Sequence, residues 1–430
     1  MALIIHFIVA FLALYFYTTY KRGWFVVLLY MIMTSFMGYL PVGNIGKDIG
    51  VMMIVFTIFY TKKYPDYKSD PIKTWIIILL SYYTVRTIFS ILLDEESAFR
   101  ALKLIRLEYV LIAYFALKRV PLQELYKAVN ILLYITILLC LIQIIQTLMG
   151  NISHVSSLVD REYMTTLMGR IPETTILFFA YLLLKDNKKA KDWIFFAIVA
   201  TSIVLGNVRG LFLAIIVTTA FFLFKQGKIK YLLLGVIIIP IMWTKFQEYS
   251  QKGDALTELS VTIEKISAGN ISAIDISEGN FEFRIVLVME RVQYMLQDYF
   301  RFLFGIGSIE EQSPNNKLNF FIGSGNIDNE GNYYRQQIET TDVAFITDFL
   351  RYGFVYLMIF TCFIIAIYKT ALKNKSFFSD VTLFIITVYL LAAVSNNYLS
   401  SIGYLYPIML AIVIGRKENI AILTESSINK

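Results

Sequence analysis

Several charged residues lie inside or at the edge of apolar stretches, where an ionised side chain costs roughly 2.5–3.5 kcal/mol on insertion scales. Arg86 sits within Ser81-Tyr82-Tyr83-Thr84-Val85-Arg86, Arg106 and Glu108 open one apolar run, and Glu173 opens another. Pairing with a carboxylate or snorkelling to the interface accounts for these four as readily as ligand binding does. Arg209 stands in Leu205-Gly206-Asn207-Val208-Arg209-Gly210, which interrupts an otherwise continuous apolar stretch. A turn there places a guanidinium at the membrane surface, and the flanking glycines let backbone approach a ligand. Forked hydrogen bonds and permanent charge suit such an arginine to a phosphate or diphosphate.

Further along, Arg284 and Arg291 are seven residues apart, so they share nearly one side of a helix at the edge of its apolar stripe. A solvated face explains them, and so does an anionic lipid head group. Phe304-Gly305-Ile306-Gly307-Ser308 then reads as a flexible turn or a helix stop. Asp342, before the next apolar run, suits an N-terminal helix cap and equally a base for a sugar hydroxyl. Asp348 and Arg351, one turn apart, are expected to pair. The chain holds two cysteines, Cys140 and Cys362, and two histidines, His6 and His154, too few for a disulfide framework or a histidine-rich metal cage. No metal and no cofactor is expected.

The elements that must position these groups are membrane helices. Of the 430 residues, 57% are hydrophobic and 17% charged, which excludes disordered, collagenous, disulfide-rich and ordinary soluble classes. Apolar runs predict spans at about 2–20, 24–41, 49–61, 74–93, 103–117, 125–149, 170–184, 193–208, 210–224, 231–245, 342–368, 378–395 and 399–415. The expected fold is therefore an all-α polytopic membrane protein of about 13 transmembrane helices. The first run lacks a basic start and a cleavage site, so it reads as an anchor. Of the 39 Lys and Arg, 22 fall in the tail and in the short connections on alternate sides of these spans. Such asymmetry puts the N-terminus outside and the C-terminus in the cytoplasm. It also explains the net charge of +7 without nucleic acid.

Four regions follow: residues 1–245 with ten spans, an outward-facing loop at 246–341, three more spans at 342–415 and a tail at 416–430. The long loop carries seven basic and fourteen acidic residues, with a helical pattern from Phe281 to Leu303.

The order Gly-Asn-Val-Arg-Gly at a span junction, a long outer loop with Arg284, Phe-Gly-Ile-Gly, then Thr-Thr-Asp-Val-Ala-Phe and Arg-Tyr-Gly-Phe resembles the O-antigen ligase/polymerase superfamily. The resemblance covers roughly residues 195–360. Two departures stand out: Val208 replaces the usual Ser before Arg209, and Asp342 stands where ligases carry a histidine, which favours the polymerase branch. The resemblance implies a metal-independent, GT-C-like membrane glycosyltransferase acting at the outer face of the bacterial cytoplasmic membrane.

Its donor and acceptor would be polyprenyl-diphosphate-linked oligosaccharides, with membrane lipid and a chain-length regulator protein as partners. On that reading Arg209 and Arg284 bind the diphosphate with Arg291 as helper, and Asp342 serves as base. Arg86, Arg106 and Glu108 are further substrate-binding candidates. The rival readings are a ligase that moves glycan to another lipid and a flippase or other transporter of the same lipid-linked glycan.

Overall fold

The structure is a computed structural model, and it describes residues 2–428 apart from 37–44, 62–68, 107, 149–155, 162–163, 170, 207, 226–280, 324, 328–332, 341–342, 344 and 394–397. The described chain is almost wholly helical. In order come α1 (Ala2–Thr18), α2 (Arg22–Met33), α3 (Ile45–Tyr60), α4 (Pro71–Leu92), α5 (Ala98–Ile105), a 3-10 turn (Glu108–Ile112) and α6 (Ala113–Lys118). Then follow α7 (Leu122–Leu148), α8 (Thr175–Leu184), α9 (Ala190–Leu205) and α10 (Arg209–Lys225). The segment expected from the sequence to face outward, called the outer segment below, contributes α11 (Phe281–Leu296) and α12 (Tyr299–Phe304), and then come α13 (Ile346–Lys373), α14 (Phe377–Ala392) and α15 (Ile402–Ile428). Two antiparallel hairpins interrupt this pattern: β1 (Ser156–Arg161) with β2 (Met164–Gly169), and β3 (Gly325–Ile327) with β4 (Tyr333–Arg335).

Among the described residues three helices, α4, α7 and α13, are long and apolar enough to cross a membrane. Of the shorter apolar helices, α2 and α8 pack on α7 and α14 packs on α13, while α1 packs on α2 and α10 on α14. On α1, Ile4, Phe7, Ile8, Phe11 and Tyr15 are exposed, a face that lipid rather than water suits. The apolar run read as one span at 103–117 is broken into α5, the 3-10 turn and α6, with Arg106 and Glu108 at the break. The span read at 231–245 and the loop from 246 to 280 lie outside the described residues.

At one end of the bundle, Asp70 caps α4, accepting from Lys73 N at 3.2 Å, and Pro71 occupies the first turn, where its missing N–H costs nothing. The same carboxylate accepts from Lys118 Nζ at 2.6 Å, Arg416 Nη1 at 2.5 Å and Tyr114 OH at 2.9 Å, tying α4 to α6 and α15. Burial alone would raise the Asp70 pKa, but the Lys118 and Arg416 contacts outweigh it and hold the carboxyl below its ordinary value.

At the other end a second apolar core forms around Phe283, Leu287, Met295, Phe320, Ile322 and Ile338, joined to Ile346, Phe349 and Leu350 of α13. Side chains replace secondary structure in binding this outer segment. Glu311 accepts from the backbone N–H of Ile338 at 2.8 Å and of Glu339 at 2.9 Å. Glu290 accepts from that of Ile322 at 3.1 Å. Asp298 breaks the helix expected from Phe281 to Leu303 by capping α12, accepting from Phe300 N at 2.7 Å and Arg301 N at 3.4 Å.

Candidate functional site

The outer segment meets the bundle where α4 packs along α13. Helix α13 breaks at Gly353, whose φ of 76° and ψ of −172° belong to glycine alone. A break leaves the carbonyls of the preceding turn without their i+4 N–H partners, and buried carbonyls need replacements. Leu350 O accepts from Ile306 N at 2.8 Å, Arg351 O from Gly307 N at 2.9 Å, and Tyr352 O from the Tyr82 hydroxyl. The two glycine motifs of the sequence are thus two sides of one junction. Contact is so close that a Cβ on Gly353 would lie 2.4 Å from Leu303 O, and one on Gly305 would lie 2.2 Å from Arg351 O. Beyond the break, Phe354 to Lys373 spans twenty residues, about 30 Å at 1.5 Å per residue, which matches a bilayer core.

Arg86 locks this junction from α4. Its Nε donates to Phe304 O at 2.8 Å, Nη2 to Gly305 O at 3.1 Å, and Nη1 to Asp94 Oδ2 at 3.2 Å. Ser90 Oγ accepts from Ser308 N at 2.7 Å, and Thr87 Oγ1 lies 3.0 Å from Ser308 Oγ. Arg86 is therefore a positioning residue, with its guanidinium committed to backbone carbonyls and one carboxylate.

Beside the junction, acidic and phenolic groups from distant parts of the chain converge. Asp348 of α13 is buried and accepts a long 3.5 Å hydrogen bond from the Tyr356 hydroxyl. Glu108, half-buried at the start of the 3-10 turn, lies close enough to Asp348 for their charges to act on each other. Tyr83 faces both Glu108 and Tyr356, and its ring meets that of Tyr352 edge-on at 4.8 Å. Arg351 and Lys47 supply the neighbouring positive charge. The cluster combines carboxyl groups, hydroxyl donors and cationic side chains where a broken span and the outer segment meet.

The remaining sequence candidates are distributed differently. Arg106 pairs with Asp48 at 2.8 Å. Arg351 makes its ion pair with Glu339 at 2.9 Å, in place of the expected pairing with Asp348. Glu173 fills the space over Gly403, where a Cβ would lie 1.9 Å from its Oε2, and Tyr30 donates to it at 3.5 Å.

Arg291 corrects the expectation of a diphosphate helper. It is wholly buried, donates to Ile322 O at 3.0 Å and Gln337 O at 3.1 Å, and stacks over the Phe320 ring at 4.6 Å. Burial pushes its pKa down to about 10, against the opposing charges of Glu290 and Glu311, so it stays protonated as an internal clamp. Arg284 lies on α11, half-buried and engaged with neighbours. Arg209 opens α10 with its backbone, while its side chain and the whole of Asp342 lie outside the described residues. The structure thus joins Arg86 to the glycine motifs and sets Glu108 within electrostatic range of Asp348.

Two contributors were missed in the sequence. Sequence spacing gives Asp348 only a local pair, and Tyr83 has no role in that reading although it stands three residues before Arg86. The available signal was Asp348 itself, an ionisable group within an apolar run, followed by Tyr352 and Tyr356 at i+4 and i+8. Among the described residues, no group of three or more His, Cys, Asp or Glu is placed to hold a metal ion. Comparison with known families finds no family model that matches the chain, and comparison with curated proteins finds no matching relative.

Proposed function

We propose that this chain is an integral-membrane glycosyltransferase that polymerises lipid-linked oligosaccharide repeat units. It works at the outer face of the bacterial cytoplasmic membrane through a GT-C-like bundle of about thirteen spans (the count of apolar runs in the sequence). In this reaction an acceptor hydroxyl attacks the anomeric carbon of the donor glycan. A new glycosidic bond forms, the bond to polyprenyl diphosphate breaks, the diphosphate leaves with the electron pair, and the hydroxyl proton passes to a base. The needs are a carboxylate, fixed cations for the leaving group and lateral access for two lipids.

The observation that carries the reading is the cluster at the junction of α4, α13 and the outer segment. There Glu108 and Asp348 stand among tyrosines beside Arg351, next to a backbone contact that fixes the outer segment on the bundle. Asp348 joins Asp342 as a base candidate, and Arg209 and Arg284 remain the proposed diphosphate ligands. Carboxylates within a span also suit an ion-coupled flippase of the same lipid-linked glycan, which is the second reading.

Deleting the gene and resolving lipid-linked and surface glycan on a gel, with the leaflet read by an impermeant glycosidase, separates the classes. Single repeat units on carrier in the outer leaflet are expected for loss of a polymerase. Single units trapped in the inner leaflet indicate a flippase, and full-length polymer stranded on carrier indicates a ligase; either result removes the polymerase reading.

A further inference from the structure

Above the glycine junction lies a cavity of about 290 Å³, lined in part by Arg86, Asp94, Tyr294, Phe300, Arg301 and Lys317. Its size is near the lower end for small-ligand sites, about 300–1,000 Å³, and gives room for a sugar ring and part of its neighbour. The lining is mixed in the way a sugar requires, with an aromatic face for apolar C–H groups and polar groups for hydroxyls. Phe300 is 56% exposed, so its ring is open to a ligand. Asn315, also in the wall, directs its Nδ2 to Glu95 O at 3.0 Å, which leaves its carbonyl to accept a hydroxyl.

Charge gives the cavity a sign. Of the two carboxylates in the wall, Asp94 is paired and Asp298 is occupied as a helix cap, so two cations stand against one unpaired carboxylate. Asp94 faces Arg86 at 3.2 Å, and Asp298 caps α12 through two N–H groups. The cations are not balanced in the same way. Lys317 is exposed, with no partner among the described residues. Arg301, also in the wall, has its guanidinium carbon over the Tyr294 ring at 4.2 Å and uses one of its five N–H donors on Tyr294 O at 3.2 Å. Around it the outer loop is acidic, so this local excess of positive charge is not part of a general basic field.

We propose that this cavity is a glycan subsite for an acidic sugar residue, with the sugar carboxylate on Lys317 and Arg301 and a ring face against Phe300. The inference rests on the polymerase reading for the source of its ligand. It makes the outer segment a reader of repeat-unit composition, held in register with the bundle by Arg86, which touches both the cavity and the junction.

The test is binding to the full-length protein in lipid nanodiscs, by calorimetry and saturation-transfer NMR. The probes are a glucuronic-acid-containing disaccharide, its neutral glucose counterpart and inorganic phosphate. The acidic disaccharide should bind about tenfold more tightly than the neutral one, the size of effect expected from one charge-assisted contact. Lys317→Glu should abolish that preference, and Lys317→Arg should retain it; the position is exposed, so folding is not at stake. Equal binding of the two disaccharides, phosphate competing as well as the acidic sugar, or an unaltered Lys317→Glu protein would each overturn the proposal. Binding is read without turnover. A protein that polymerises but ignores the acidic sugar therefore removes this subsite alone, whereas one that binds it but forms no polymer removes the polymerase reading alone.

Discussion

Gly353→Ala should release the outer segment from the bundle. A side chain in this φ, ψ region costs of order 1–3 kcal/mol before any contact is counted. Its Cβ would also lie 2.4 Å from Leu303 O and 2.5 Å from Gly305 N, both backbone atoms that cannot rotate away. The chain can relieve this only by straightening α13, which returns the carbonyls of Leu350, Arg351 and Tyr352 to ordinary helical partners. Straightening strips Ile306 N, Gly307 N and the Tyr82 hydroxyl of their acceptors. At a net of about 0.5–1.5 kcal/mol per hydrogen bond, straightening costs roughly 1.5–4.5 kcal/mol. Because straightening relieves the backbone strain, the two costs are alternatives rather than a sum, and a cost of about 1.5–4.5 kcal/mol is enough to populate an open junction. Limited proteolysis of the purified protein should then cut between Phe304 and Ser308, and tryptophan-monitored melting should begin earlier. Met358→Ala, at a lipid-facing position of the same helix that is 55% exposed, should do neither. A Gly353→Ala protein with wild-type melting and an uncut Phe304–Ser308 segment would refute the junction as described.

Arg86→Lys should behave like a weaker form of the same lesion, because one ammonium cannot reach Phe304 O, Gly305 O and Asp94 together. The expected loss is roughly 2–4 kcal/mol in denaturant melting, with charge retained. Asp70→Asn should cost about 3–5 kcal/mol, since it removes the buried carboxylate charge that Lys118 and Arg416 share. The folded pKa of Asp70 is depressed, so its contribution is complete above the unfolded carboxylate value near 4 and is lost only as pH falls through the lower folded value. Wild-type melting should therefore show no loss from this group between pH 7 and 5 (a range above that value), and a loss there would contradict the assignment. Arg209→Lys should lose most polymer formation while inserting normally, because lysine cannot supply the fork; full activity would remove its diphosphate role.

Much of the bundle was legible because apolar runs of spanning length have few alternatives in lipid. The runs read at 74–93, 125–149 and 378–395 are helices at Pro71–Leu92, Leu122–Leu148 and Phe377–Ala392. The break in α13 was not legible as a break. Tyr352-Gly353 was noted as a motif, but a lone glycine in an apolar run is compatible with a continuous helix until its partners across the chain are known. Arg291 was misplaced for a related reason. Leu287, Arg291 and Met295 follow at i+4 on the buried face, so periodicity put the arginine inside, yet charge alone argued for the rim. Asp348 and Glu108 are 240 residues apart in the sequence, and no local pattern links two carboxylates brought together only by α4, the 3-10 turn and α13.

Under the proposed function, this chain alone forms glycosidic bonds between lipid-linked repeat units. The direct measurement is the purified protein in liposomes with a polyprenyl-diphosphate-linked repeat unit as sole substrate and EDTA present, products being resolved by gel and mass spectrometry. The account predicts a ladder of carrier-linked products, each longer by one repeat, with free polyprenyl diphosphate released in step. Repeat units that cross the bilayer unchanged, or that extend only when a different lipid acceptor is added, would contradict it.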